Sequence, residues 1–236
     1  TWTNRPNPPW FVPPSSFPPV TGPAPSTLDW DLWQGPVKSQ DYSADYVPVK
    51  WRGWWKYGCG ALGDIGCHTF DAPFWVLGLG SPTKVEIERK DPPGKGFIPM
   101  GSVVTYHFAA RGKKPPVTLK WYEKGYEVPK PTRWQKDKDL PSGGGMYMEG
   151  TKETLYHSGM RPNSPMITPG ERFMEMKSEL VKIPKLPSVG NGPIKEWYRA
   201  IKGDGPMPGS NFDYAVPLTE MVLLGALAQR TGKNIE

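Results

Sequence analysis

Prolines and glycines set the first limit on what this chain can build. Thirty prolines and twenty-seven glycines among 236 residues are far above average usage and interrupt regular structure wherever they cluster. They predict long, shaped loops around a modest regular framework. Ten of the prolines fall within the first 36 residues, many in Pro-Pro or Xaa-Pro pairs that favour extended geometry. Residues 1–25 therefore read as an extended arm, with Trp2, Trp10 and Phe11 holding it to a surface. The chain is long enough for a sizeable core, and 37% apolar residues with eleven tryptophans can fill one.

Charge decides little. The balance of 29 Lys+Arg against 23 Asp+Glu gives +6. The lysines are mixed with acids along expected strands and turns, as on a solvated face. No dense basic run or recognition-module motif points to nucleic acid. No run of about 18 apolar residues predicts a transmembrane helix. The opening TWTNRPNPPW has no signal-peptide core, and no cellular address is readable. Cys59 and Cys67 are too few for a disulfide framework and read as free, buried thiols.

Hydrophobic periodicity places the elements in residues 26–236, expected as a single domain. LDWDLWQG reads as a helical turn capped by Ser26-Thr27, and Leu62 to Leu79 has helical spacing. Thr83–Arg89, Ser102–Ala110 and Pro116–Gly125 alternate as strands, and Gly143–Gly159 reads as a hairpin turning at Gly150-Thr151. Residues 160–190 look irregular. Helices are expected over Ile194–Asp204 and Tyr214–Arg230. The fold class is α+β: a large, mainly antiparallel sheet with helices packed on one face.

The chemistry concentrates in WRGWWKYGCGALGDIGCHTFD, residues 51–71. Asp64 and His68 are four apart, so a helix sets them on one face. An imidazole titrates near neutrality and can take and return a proton, with the carboxylate orienting it. Asp71, three residues on, lies on nearly the same face. The plainer alternative is a helical Asp interacting with the helix dipole and a His satisfied by it. Arg52 and Trp54 fit a ligand wall equally with a packed aromatic core. Cys59, Asp64, Cys67, His68 and Asp71 include zinc-ligand types, but adjacent Cys67 and His68 point to different faces and no CxxC or HExxH spacing occurs, so no metal site is expected. The GALGDIG glycines lack the GxGxxG order and a preceding strand, so they are no dinucleotide fingerprint.

LDWDLWQGP, WRGWWKYGCGALGDIGCHTFDAPFW, SNFDYAVPLTEMVLLGALAQRTGK and the opening TWTNRP resemble the Gfo/Idh/MocA oxidoreductases, and more closely their inositol 2-dehydrogenase-like branch. The resemblance implies a two-domain parent: a Rossmann domain holding NAD or NADP, and a C-terminal α/β domain with a large antiparallel sheet. It implies hydride transfer between a nicotinamide and a sugar or cyclitol carbon, with catalytic His68 shuttling the hydroxyl proton and catalytic Asp64 assisting orientation. Arg52, Trp54 and Asp71 then become substrate-binding candidates. The sequence departs from the family in lacking both a Rossmann fingerprint and a Glu-Lys-Pro motif. Lys56 stands where an acid is usual, and Cys59 where a small hydroxyl residue is usual.

The expectation is thus a substrate-binding domain of an NAD(P)-dependent sugar or polyol dehydrogenase, inactive alone, its cofactor held mainly by a domain outside this chain. The alternatives are a non-catalytic carbohydrate-binding or oligomerisation module and, on the Cys/His/Asp mixture alone, a metal-dependent hydrolase or lyase. The resemblance also implies a homo-oligomer paired through the open sheet face; Val85, Ile87, Val103, Tyr106, Leu119 and Trp121 include both faces. Neither nucleic acid nor membrane is an expected partner.

Overall fold

A computed structural model describes residues 11–92, 94–162, 164–183 and 192–236. Trp2 and Trp10, expected to hold the arm to a surface, lie outside them. The fold is α+β, its strands joined as two antiparallel three-stranded ladders. The first runs β1 (Lys84–Lys90), β2 (Gly101–Phe108) and β3 (Val117–Tyr122). The second runs β4 (Gly145–Glu149), β5 (Thr154–Ser158) and β6 (Met166–Thr168). The helices are α1 (Trp30–Gln34), α2 (Gly60–Leu77), α3 (Gly170–Leu180), α4 (Gly192–Lys202) and α5 (Phe212–Thr231).

Register explains the sidedness of the first sheet. Val85 pairs with Tyr106 and Tyr106 with Leu119, while Ile87 pairs with Val104 and Val104 with Trp121. Cross-strand partners share a face, so these six residues form one apolar surface, which joins α2 and α5 in the main core. The opposite surface carries Lys84, Glu86, Thr105, His107, Thr118 and Lys120 in the same registers. Of the six residues named above for the two faces, only Val103 points that way.

Helix α2 buries Leu62, Ile65, Gly66, Thr69, Phe70, Pro73 and Phe74, the i, i+3, i+4 stripe of a core-facing helix. It ends at Gly78, whose φ of 60° allows its N–H to reach back to the Phe74 and Trp75 carbonyls. Helix α5 starts from Asn211, whose side chain accepts from the N–H groups of Asp213 and Tyr214. The two helices meet where glycine is required: a Cβ at Gly225 would lie 1.8 Å from the Tyr106 hydroxyl. Beyond α5, Ile235 exchanges backbone hydrogen bonds of 2.8 and 2.9 Å with Val85 and closes the edge of β1.

A second, aromatic core lies beside the first. Tyr46, Trp54, Phe97 and Ile98 are buried, with Phe17, Trp30, Trp55 and Tyr57 packed against them. It anchors a 3₁₀ turn, Lys50–Gly53, that leads into α2.

Three sequence expectations need correction. Asp29 caps α1, accepting from the Leu32 N–H at 3.0 Å, rather than Ser26-Thr27. Residues 160–190 contain β6 and α3, which local proline density concealed. Both thiols are free, but Cys59 is exposed. Among the described residues no helix is long and apolar enough to cross a membrane.

Candidate functional site

The segment before α2 is fixed by backbone bonds. Trp55 N–H donates to the Gly96 carbonyl at 2.9 Å, and Ile98 N–H to the Gly53 carbonyl at 2.9 Å. Gly58 lets the chain fold back over Arg52, because a Cβ there would sit 2.8 Å from the Arg52 backbone. The guanidinium is thereby held above the Trp51 ring, 4.6 Å from its centroid, a cation–π contact. Its Nε lies 3.5 Å from Asp64 Oδ2.

Asp64 and His68 both occupy the exposed side of α2, opposite the buried stripe. Helical spacing puts them one turn apart on that side. Among the described residues no hydrogen bond joins them. Asp64 instead pairs with Arg52, both side chains remaining partly open at 33% and 23% exposure. An ion pair so placed contributes well under about 1 kcal/mol to stability, so its consequence is geometric. It holds a cation and a carboxylate together beside an imidazole free to meet a ligand.

Asp71 faces inward. Its Oδ1 accepts from the Tyr214 hydroxyl at 2.5 Å, and its carbonyl oxygen lies 3.2 Å from the same hydroxyl. Burial, with the adjacent Asp71 charge, pushes the Tyr214 phenol well above its ordinary range, so it stays a donor at physiological pH. This clamp between α2 and α5 was not legible in sequence, since 143 residues separate its partners.

Trp54 is only 6% exposed, and its indole N–H donates to the Asp45 carbonyl at 3.0 Å. Edge contacts with Tyr46 and Phe97 surround it. The structure therefore places Trp54 beneath the site, supporting the Arg52 segment from within the aromatic core. Lys56 donates to Gln40 Oε1 at 2.8 Å; burial, then the nearby Lys38 charge, lowers its pKa. Burial raises the Cys67 thiol and keeps it protonated. Among the described residues no group of three or more His, Cys, Asp or Glu side chains converges as metal ligands would.

Arg52, Asp64 and His68 thus share one exposed patch, with Asp71 and Trp54 bracing it. The patch can bind hydroxyls through the cation and carboxylate and exchange a proton at the imidazole. Nothing among the described residues fits a dinucleotide. Both ladders are antiparallel, and among the described residues no parallel strand–glycine loop–helix unit offers a cradle for a pyrophosphate.

Residues 18–109 match the Gfo/Idh/MocA family model described as the oxidoreductase family, C-terminal alpha/beta domain. The matched span contains Arg52, Trp54, Asp64, His68 and Asp71. No curated protein matches the chain. Among solved structures, the chain is similar to the "putative dehydrogenase from Bordetella bronchiseptica RB50", at 14% identity and a TM-score of 0.42. That likeness covers 77% of this chain and 55% of the other, so the chain spans about half the length of that protein.

Proposed function

We propose that this chain is the substrate-binding domain of an NAD(P)-dependent oxidoreductase acting on a sugar or cyclitol hydroxyl, in the manner of the inositol 2-dehydrogenase-like branch. The observation that carries the reading is the partly exposed Arg52–Asp64 pair beside His68, inside the stretch that matches an oxidoreductase family model. The nicotinamide, which this reading requires, is held by a separate dinucleotide-binding domain and supplies the hydride acceptor when bound.

The residues of this chain have distinct tasks. Asp64 and Arg52 accept from and donate to neighbouring substrate hydroxyls and fix which carbon lies over the imidazole. His68 takes the proton of the reacting hydroxyl at a ring nitrogen during oxidation and returns it during reduction. Asp71, clamped by Tyr214, ties the turn of α2 that follows His68 to α5. Pairing of two copies through the polar sheet face belongs to the same proposal.

The test joins the chain to a dinucleotide-binding domain and follows NAD or NADP reduction with a panel of polyols. His68→Ala is expected to lower turnover by about 10²-fold or more while sugar binding, measured by calorimetry, persists. Saturable sugar binding that ignores changes at Asp64 and His68, with no nicotinamide reduction, would instead identify a non-catalytic carbohydrate-binding module.

A further inference from the structure

A cavity of about 730 Å³ lies between α1 and the arm that precedes it, lined among others by Thr21, Asp31, Gln34, Ser39, Asp41 and Tyr42. None of Arg52, Asp64, His68 or Asp71 lines it. We propose that this cavity is a separate binding site for a neutral saccharide. The proposal does not rest on the oxidoreductase reading.

Its volume falls within the range of small-molecule pockets, about 300–1,000 Å³. Its lining chemistry narrows the class. Three hydroxyls, two side-chain amides and two carboxylates line it, with no lysine or arginine among the lining residues, so an anionic ligand would meet the negative charges of Asp31 and Asp41. Asp31 and Asp41 make no ion pair or hydrogen bond among the described residues and are exposed, leaving both as acceptors for ligand hydroxyls. The space far exceeds what a single cation needs, given about 30 Å³ for a water, whereas a mono- or disaccharide fills it and presents hydroxyls to every wall.

The walls are pre-organised. Trp30 Nε1 donates to the Gln40 carbonyl at 2.7 Å, and the Gln40 backbone N–H donates to Gln34 Oε1 at 2.9 Å. The Gln40 amide in turn donates to the Tyr57 hydroxyl at 2.7 Å and accepts from Lys56. Gln34 is 5% exposed, so its amide is fixed at the cavity floor with its nitrogen 3.4 Å from Ser39 Oγ. Trp30 is immobilised by stacking on Trp33 at 5.0 Å and 14°. A polar wall held before the ligand arrives avoids much of the ordering cost of binding.

The experiment titrates the 236-residue chain with glucose, maltose and myo-inositol, reading calorimetry and the indole N–H resonance of Trp30. Saturable binding of at least one sugar is expected with a Kd of about 1 mM. It should weaken by about tenfold or more in the double variant Asp31→Asn/Asp41→Asn and remain unchanged in His68→Ala. Ser39→Ala, at an exposed position, provides a second test should the double variant lose its fold by circular dichroism; it too should weaken binding. The proposal is overturned if no sugar saturates, if binding survives both sets of cavity substitutions, if His68→Ala abolishes it, or if calcium or spermidine shifts the Trp30 resonance while the sugars do not. Loss of nicotinamide reduction with cavity binding intact would strike only the dehydrogenase reading.

Discussion

Asp71 shows how one side chain can join two elements. It is three residues beyond His68, and the sequence offers it as a ligand for substrate. Instead its carboxylate is taken by Tyr214 at 2.5 Å, while the Tyr214 ring keeps an edge contact with Phe74 at 5.8 Å. Tyr214→Phe removes the hydroxyl and leaves that ring contact in place. Hydrogen bonds to charged groups contribute about 1.5–3 kcal/mol, and partial exposure here moves the expectation just below that range, to about 1 kcal/mol. Urea denaturation should show a lower midpoint with an unchanged m-value; an identical midpoint would mean that the clamp does not stabilise the fold. Asp64 differs in kind, because it stays partly open to solvent at 33% exposure while paired with Arg52.

At the scale of elements, the α2–α5 crossing over the sheet depends on glycine. A Cβ at Gly225 would meet the Tyr106 hydroxyl at 1.8 Å and Leu62 Cδ2 at 2.8 Å, and Tyr106 is fully buried. Gly225→Ala should therefore destabilise by about 1–3 kcal/mol, the usual cost of overpacking. Gly143→Ala, with nothing within 4 Å of the added carbon, should stay within about 0.5 kcal/mol of the parent. The nearest obstructing atom is a hydroxyl with no hydrogen-bond partner among the described residues, so adding Tyr106→Phe should restore part of the loss. No recovery in the double variant would place the obstruction at Leu62 instead. This crossing also marks what the sequence could reveal. Period-2 and period-3.6 patterns located β1 to β5 and α2, α4 and α5 within a few residues: β1 to β5, α2 and α5 each bury residues of their own, and α4, which buries none, shows through the spacing of Ile194, Trp197, Tyr198 and Ile201. Helix α3 and the three-residue β6 lie in the stretch punctuated by Pro162, Pro165 and Pro169, whose breaks mask any short pattern. Of the site, the Asp64–His68 spacing was visible because it is local. The Arg52–Asp64 pair, the burial of Trp54 and the Tyr214 clamp arise from chain reversal and helix docking, which no spacing encodes.

For the molecule as a whole, the response to pH is set by two buried groups of opposite sense. Glu123 is 8% exposed; its carboxylate accepts from Trp121 Nε1 and from Ser102 Oγ, each at 2.9 Å. Gln229 donates in turn to Ser102 at 2.7 Å. Burial raises the Glu123 pKa, and these donors offset only part of the rise. The folded state then holds a proton that the unfolded chain releases near pH 4.3. This contribution is complete below that value and disappears as pH rises through the folded pKa. His157, 2% exposed, behaves oppositely: burial lowers its pKa, so its contribution is present above about 6.5 and is lost as pH falls through the lower folded value. Glu123→Gln separates the two. Glutamine retains an acceptor toward Trp121, and Ser102 Oγ has a second lone pair to receive the new amide, but the side chain cannot ionise. Between pH 5 and 8 the variant should gain stability relative to the parent as pH rises. Each kcal/mol of that gain reads as about 2–4 °C in Tm for a chain of this size. Thermal melts at unit intervals of pH measure it directly. Parallel Tm profiles for parent and variant would mean that Glu123 keeps the same charge in both states, and the pH response would then have to come from groups nearer the surface.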